Sequence, residues 1–168
     1  LRRHIESLGY TTSFSIYDSD DQKTLMRQVF KAMNVDTKQF KERSVLAAIS
    51  SAKDKLITPE EFLLNAGADF REKKTGEIYK EYQKQLRKNN ALDFDDLIVK
   101  TVELFQNNPQ VLDYYQERFK YIMVDEYQDT NYSQYLIIKK LSERHHNLCV
   151  VGDDAQSIYS CLLYTSDA

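Results

Sequence analysis

Apolar side chains between Asp20 and Asn90 recur at intervals of three and four, as in Leu25, Met26, Val29, Phe30 and Met33, and again in Ile78, Tyr82 and Leu86. That period gathers them on one face of a helix, so the stretch predicts a set of amphipathic helices. Only two prolines occur, and each follows a residue suited to a helix N-cap. Thr58-Pro59-Glu60-Glu61 has the form of a capping box with proline at the first helical position, and Asn108-Pro109 repeats the arrangement. Another helix is expected from about Asp93, with Phe94, Leu97, Ile98, Thr101, Val102, Leu104 and Phe105 on its inner face.

The pattern changes after Phe119. Residues 121–124 and 148–151 are short apolar runs that stop abruptly, the first at Asp125-Glu126 and the second at Gly152-Asp153-Asp154. Both predict buried strands with acids at their carboxyl ends. Between them Tyr135, Leu136, Ile138 and Leu141 fall at helical spacing, with Asp129, Thr130 and Asn131 as candidate caps. Strand, helix, strand implies a parallel pair joined by a right-handed crossover. Ligands of such sheets bind beyond the carboxyl ends of the strands, where both acid clusters fall.

A chain of 168 residues can bury a core of one domain, or of one domain with a helical insertion. Its 42% hydrophobic and 29% charged residues are too apolar a mixture for a disordered protein. No run approaches the roughly 20 apolar residues that cross a bilayer, and the opening Leu1-Arg-Arg-His lacks the apolar core of a signal peptide. A cytoplasmic location without membrane contact is the expectation. Cys149, inside an apolar run, is expected in the core. The chain opens on Leu1, in the middle of a charged pattern, which predicts an internal piece of a longer protein.

Charge is unevenly spread. Residues 71–90 hold seven bases against three acids, whereas residues 91–131 hold nine acids against three bases. Such segregation suits a basic face for a phosphate backbone beside an acidic site for a metal, although a solvated helix face reads the same way.

An apolar strand ending in Asp-Glu is what nucleotide hydrolysis needs: one carboxylate holds Mg²⁺ and its neighbour orients and deprotonates the attacking water. Asp125 and Glu126 are the candidates for these two roles. By itself Asp-Glu after a strand also occurs as an ordinary turn. The longer runs Val124-Asp-Glu-Tyr-Gln-Asp-Thr-Asn131 and Val151-Gly-Asp-Asp-Ala-Gln-Ser-Ile-Tyr159 are more specific, and resemble motifs II and III of the superfamily-one helicases related to UvrD, PcrA and Rep. The resemblance implies ATP and Mg²⁺ as cofactors, a metal ligand in Asp125, and a general base in Glu126. It also implies nucleotide-side roles for Gln128, Asp153 and Gln156: Gln156 would contact the terminal phosphate, and Gln128 would couple nucleotide state to DNA. Tyr159 would lie along single-stranded DNA.

Ala91-Leu-Asp-Phe-Asp-Asp-Leu-Ile98 resembles the family's segment at the return from its helical insertion, which implies that Phe94 stacks on a DNA base. Read from its helix face alone, Phe94 is a core aromatic. The basic stretch makes Lys73, Lys74, Lys84 and Lys88 candidates for backbone contacts to duplex DNA. The implied fold is α/β, a partial RecA-like P-loop NTPase parallel sheet with an all-helical inserted subdomain. Residues 1–19 and 91–160 are expected in the ATPase core and residues 20–90 in the insertion. The implied function is ATP-dependent 3′ to 5′ movement on single-stranded DNA, in repair or replication restart.

The 168 residues contain no Gly-x-x-x-x-Gly-Lys-Ser/Thr phosphate cradle, so the chain by itself is expected not to hydrolyse ATP. After Ser160 the family pattern stops: residues 161–168 can be encoded by the end of a transposon adapter used in sequencing libraries, and are expected to be an artefact without function, Cys161 and Tyr164 included. Three other readings compete, one of them an RNA-templated polymerase whose metal-binding hairpin turn Gly152-Asp153-Asp154 resembles, although Gln-Ser-Ile-Tyr follows Asp154 as in the helicase pattern. A metal-dependent nuclease would use Asp95, Asp96, Asp125, Asp153 and Asp154, but no Glu-x-Lys follows Asp125. A non-catalytic DNA-binding module would use Phe94 and the basic stretch without ATP chemistry.

Overall fold

A computed structural model describes residues 1–153 of the chain, which divide into two compact units, Leu1–Lys100 and a second beginning at Thr101. The first unit holds a 3-10 turn at Ile5–Leu8, then β1 (Ser15–Tyr17), α1 (Ser19–Ala32), α2 (Glu42–Asp54), α3 (Pro59–Asn65), α4 (Phe70–Lys88), β2 (Ala91–Asp93) and the start of α5 (Phe94–Asn107). The second continues through α6 (Pro109–Arg118), β3 (Ile122–Val124), a 3-10 turn at Tyr127–Asp129, α7 (Tyr132–Ser142) and β4 (Leu148–Val150).

Side chains cap several of the helices, Asp69 at the start of α4 among them. The Asp18 carboxylate accepts from the backbone N–H groups of Asp20 and Asp21, and Asp21 returns the contact to complete a capping box. Those N–H groups, Asp21 first, hold the Asp18 carboxyl below the ordinary carboxylate range. Thr58 and Glu61 form the expected box ahead of Pro59, and Asn131 with Gln134 forms another at α7. At Asn108 no side-chain cap bond is made to the first turn of the helix, so the fixed φ of Pro109 marks the start of α6 without that help.

The expected apolar stripes meet in the first unit. Leu25, Met26, Val29 and Phe30 of α1 pack with Val45, Ile49 and Ala52 of α2 and with Ile78, Tyr79, Tyr82 and Leu86 of α4. β1 pairs with β2 in parallel, Ser15 beside Ala91 and Tyr17 beside Asp93. The four helices α1 to α4 therefore leave from one strand and return on its hydrogen-bonded neighbour. Neither three-residue strand has enough length to show an alternating pattern, and neither was expected from the sequence.

In the second unit β3 and β4 pair in parallel, Ile122 with Leu148 and Val124 with Val150, with α7 between them in the chain. The expectation that these strands are buried is not met: Met123 is 79% exposed, and Leu148, Cys149 and Val150 are exposed as well. A two-stranded ladder has two open edges and cannot cover its own faces, and among the described residues no third strand pairs with it. Cys149 is therefore not a core residue here. No helix among the described residues is long and apolar enough to cross a membrane.

Candidate functional site

β3 ends at Val124, and the next two residues are Asp125 and Glu126, both exposed. Glu126 takes a left-handed backbone conformation, φ 50° and ψ 42°, which a residue with a Cβ adopts only at some cost. The turn is supported on both sides. Asp125 Oδ1 accepts from the Glu126 N–H at 2.9 Å, and the Glu126 carbonyl accepts from the Asp129 N–H at 2.9 Å, closing the 3-10 turn. Beyond the strand register the ladder continues for one step, because Val151 N–H donates to the Val124 carbonyl and Tyr127 N–H to the Val151 carbonyl. The acid-bearing turn after β3 is thus tied to the end of β4.

Gln128 completes the tie. It is a buried residue whose amide uses both of its ends: Nε2 donates to Glu126 Oε2 at 2.6 Å, and Oε1 accepts from the backbone N–H of Asp153 at 3.0 Å. The approach is close enough that a side chain at position 152 would make the end of Gln128 shift. A Cβ at Gly152 would lie 2.7 Å from Gln128 Oε1 and 3.4 Å from the Gln128 nitrogen. One side chain therefore joins the carboxylate after β3 to the backbone after β4. As an exposed carboxylate Asp125 is a hard oxygen donor of the kind a magnesium ion takes, and a phosphate-bound cation suits the open end of this parallel pair. Of the residues singled out in the sequence, the structure brings Asp125, Glu126, Gln128 and Asp153 together; Asp154, Gln156, Tyr159 and residues 161–168 lie outside the described residues.

Phe94 is 55% exposed at the first position of α5, which corrects its expected place on the inner face of that helix. The buried positions of this turn belong to Asp93 and Asp96. Asp96 N–H donates to Asp93 Oδ1 at 2.8 Å, and Asp93 N–H faces Asp96 Oδ2 at 3.4 Å, a reciprocal cap around Phe94. Both carboxylates receive Lys53, whose Nζ lies 2.6 Å from Asp93 and 2.9 Å from Asp96 with the lysine only 1% exposed. Tyr82 donates its hydroxyl to Asp93, and Gln83 donates its amide to Asp96.

Burial pulls the Lys53 ammonium down, but Asp96 and Asp93 outweigh it and hold the group above its ordinary value, in its charged form. One cation serves two acids, so Asp93 is pushed up, by burial first and by Asp96, against the pull of Lys53. Lys53 was missed in the sequence. It was legible as a lysine on the apolar phase of α2, four residues after Ile49 and eight after Val45. The cluster also removes Asp96 from any nuclease site, since its oxygen is already paired with an ammonium. Among the described residues no group of three or more His, Cys, Asp or Glu side chains could hold a metal.

The basic stretch lies on α4. Lys73, Lys80, Lys84 and Lys88 follow a stripe at helical spacing, opposite the buried Ile78, Tyr82 and Leu86. Acids interleave with it: Lys74 pairs with Glu77 at 3.0 Å, Lys84 with Glu81 at 3.3 Å, and Lys80 with Glu60 at 3.2 Å. Arg87 is engaged elsewhere, donating to the Leu8 carbonyl and stacking over Tyr10, in space that a Cβ on Gly9 would invade.

Residues 1–162 match the family model described as the UvrD/REP helicase N-terminal domain. The chain is 51% identical to the ATP-dependent DNA helicase PcrA of Bacillus subtilis (strain 168), over 95% of the chain and 21% of that protein. It is 48% identical to PcrA of Staphylococcus epidermidis (strain ATCC 12228) and 47% identical to PcrA of Staphylococcus aureus (strain COL), in each case over 95% of the chain and 22% of the relative. It thus spans about a fifth of the length of these relatives. With a family model matching residues 1–162, nearly the whole sequence, the chain belongs to the UvrD/REP helicase N-terminal domain family.

Proposed function

We propose that this chain is the part of an ATP-dependent DNA helicase that carries its water-activating carboxylate and the joint between nucleotide and DNA. The observation that carries this reading is the Gln128 side chain spanning Glu126 and the Asp153 backbone, because it makes the ends of two parallel strands a single unit. Asp125 would hold Mg²⁺, which when bound neutralises charge on the triphosphate. Glu126 would orient water and take its proton; the Gln128 amide fixes the direction of that carboxylate. Gln156 and Tyr159 complete the reading as phosphate contact and DNA contact.

The parallel pairing of β1 with β2 on either side of four helices supports an insertion, residues 20–90, set into a RecA-like core formed by residues 1–19 and 91–160. Phe94, exposed at the point of return, suits a base-stacking platform for single-stranded DNA, tolerant of sequence because every base has a face. The movement is 3′ to 5′, in repair or replication restart. The 168 residues alone supply no phosphate cradle and are inactive toward ATP. The test is unwinding by the full-length protein of duplexes with a single-stranded tail at one end. Unwinding of 3′-tailed but not 5′-tailed substrates is expected; the opposite preference, or ATP-independent cleavage of the strand with Mg²⁺, contradicts the reading and in the second case returns the nuclease.

A further inference from the structure

We infer that Lys53 is a positioning residue for DNA binding, holding the turn that presents Phe94 to a base. The inference rests on the proposed stacking role of Phe94. It begins from an asymmetry at the start of α5: Phe94 is 55% exposed, while the residue before it and the second residue after it, Asp93 and Asp96, are 2% and 0% exposed. An aromatic ring offered to a ligand is thus mounted between two buried carboxylates.

Those carboxylates are held from several directions. Lys53 reaches them from α2, at 2.6 Å and 2.9 Å, while Tyr82 and Gln83 reach them from α4, at 3.2 Å and 3.1 Å. The two acids also close on each other's backbone N–H groups. Lys53 Nζ lies 5.5 Å from the centroid of the Tyr82 ring, so the ammonium is lodged among its partners. A buried cation with two carboxylates has a narrow range of acceptable geometries, because any displacement leaves a charge without its counter-ion in a medium of low dielectric. The same restriction fixes the backbone on both sides of Phe94.

A surface helix start needs only a capping side chain, and the Asp93–Asp96 box alone would provide it. The buried lysine adds rigidity and a connection to α2. Stacking on a base gains most when the ring is already in place, because ordering it on binding would oppose the gain. Loss of Lys53 is therefore expected to weaken DNA binding through Phe94, without any contact between Lys53 and DNA.

The experiment measures equilibrium binding of the full-length protein to a single-stranded oligonucleotide containing 2-aminopurine, whose fluorescence falls when the base stacks. Phe94→Ala is expected to weaken binding by roughly tenfold and to remove the stacking signal. Lys53→Met is expected to do the same, and to add nothing in a Phe94→Ala background. Asp96→Asn covers the case in which Lys53→Met does not fold. It leaves one cation facing one carboxylate, but in either amide orientation a donor meets a donor, so the turn loosens without stranding a charge. If Phe94→Ala leaves signal and affinity unchanged, the stacking reading fails and the inference with it. If Phe94→Ala acts as expected while the folded Lys53 and Asp96 variants bind and stack normally, or weaken binding additively with Phe94→Ala, the inference alone is overturned.

Discussion

A primary amide presents a donor and an acceptor on one planar group, and Gln128 uses the two ends on different strands' termini. Glutamate in its place would set two carboxylates against each other, and an alkyl side chain would leave the Asp153 N–H without its present partner. Gly152 belongs to the same arrangement, since its lack of a Cβ lets Gln128 Oε1 approach. Gly152→Ala in the full-length protein is therefore expected to displace the Gln128 amide and lower DNA-stimulated ATPase by up to as much as Gln128→Ala does, with the double variant no worse than Gln128→Ala alone. Independent, multiplying losses would show that the glycine acts some other way. This pair was only partly legible: the glutamine stood out through its motif, but the glycine's reason is a distance between two strand ends, which no local pattern records. Lys53 was hidden for the opposite reason. Its position on an apolar stripe was readable, yet a lysine there is explained only by partners forty residues away.

At the level of elements, helices were readable because their signals are local. Period and cap coincide at Thr58 and Asn131, where capping boxes form; Asn108 makes no side-chain cap bond, and the box at Asp18 was not anticipated. The strands were harder. Residues 121–124 and 148–151 were placed within a residue of β3 and β4, whereas β1 and β2, three residues each, carry no periodicity and are defined by pairing with each other. The caps also give the helices a pH response. Asp18 is held below its ordinary value by backbone donors, so it favours the folded state when ionised; that contribution is complete above the unfolded value and is lost as pH falls through the folded one. Glu61, lowered by the Thr58 N–H and hydroxyl, acts with the same sign. Asp18→Asn should keep the cap but flatten the acid limb of stability, read as the denaturant midpoint between neutral pH and the lower carboxylate range. An acid limb as steep as that of the unaltered chain would remove Asp18 from the account.

Over the whole molecule, the assigned chemistry is divided between a helical block with a basic stripe and a strand pair with acids at its end. The basic stretch is less basic than the sequence suggested, because Glu60 and Glu81 pair with Lys80 and Lys84 of the stripe and Glu77 with the neighbouring Lys74. Exposed pairs of this kind are worth about 0–1 kcal/mol, so a phosphate competes with them readily. Reversing Lys73, Lys74, Lys84 and Lys88 together in the full-length protein is expected to weaken binding to all DNA sequences alike and to flatten its salt dependence. An unchanged slope of affinity against salt would make α4 a solvated face and nothing more. The strand pair carries the larger claim, that Asp125 and Glu126 serve ATP hydrolysis in different ways. The most direct test is Glu126→Gln in the full-length protein, with steady-state ATPase on single-stranded DNA measured beside equilibrium binding of a fluorescent nucleotide. Glutamine keeps the size of the side chain but cannot take a proton from water, so turnover should fall by about 10² to 10⁴ while nucleotide binding remains nearly intact; Asp125→Asn should weaken both. A Glu126→Gln protein that turns over ATP at the normal rate would contradict the assignment of the base at the end of β3.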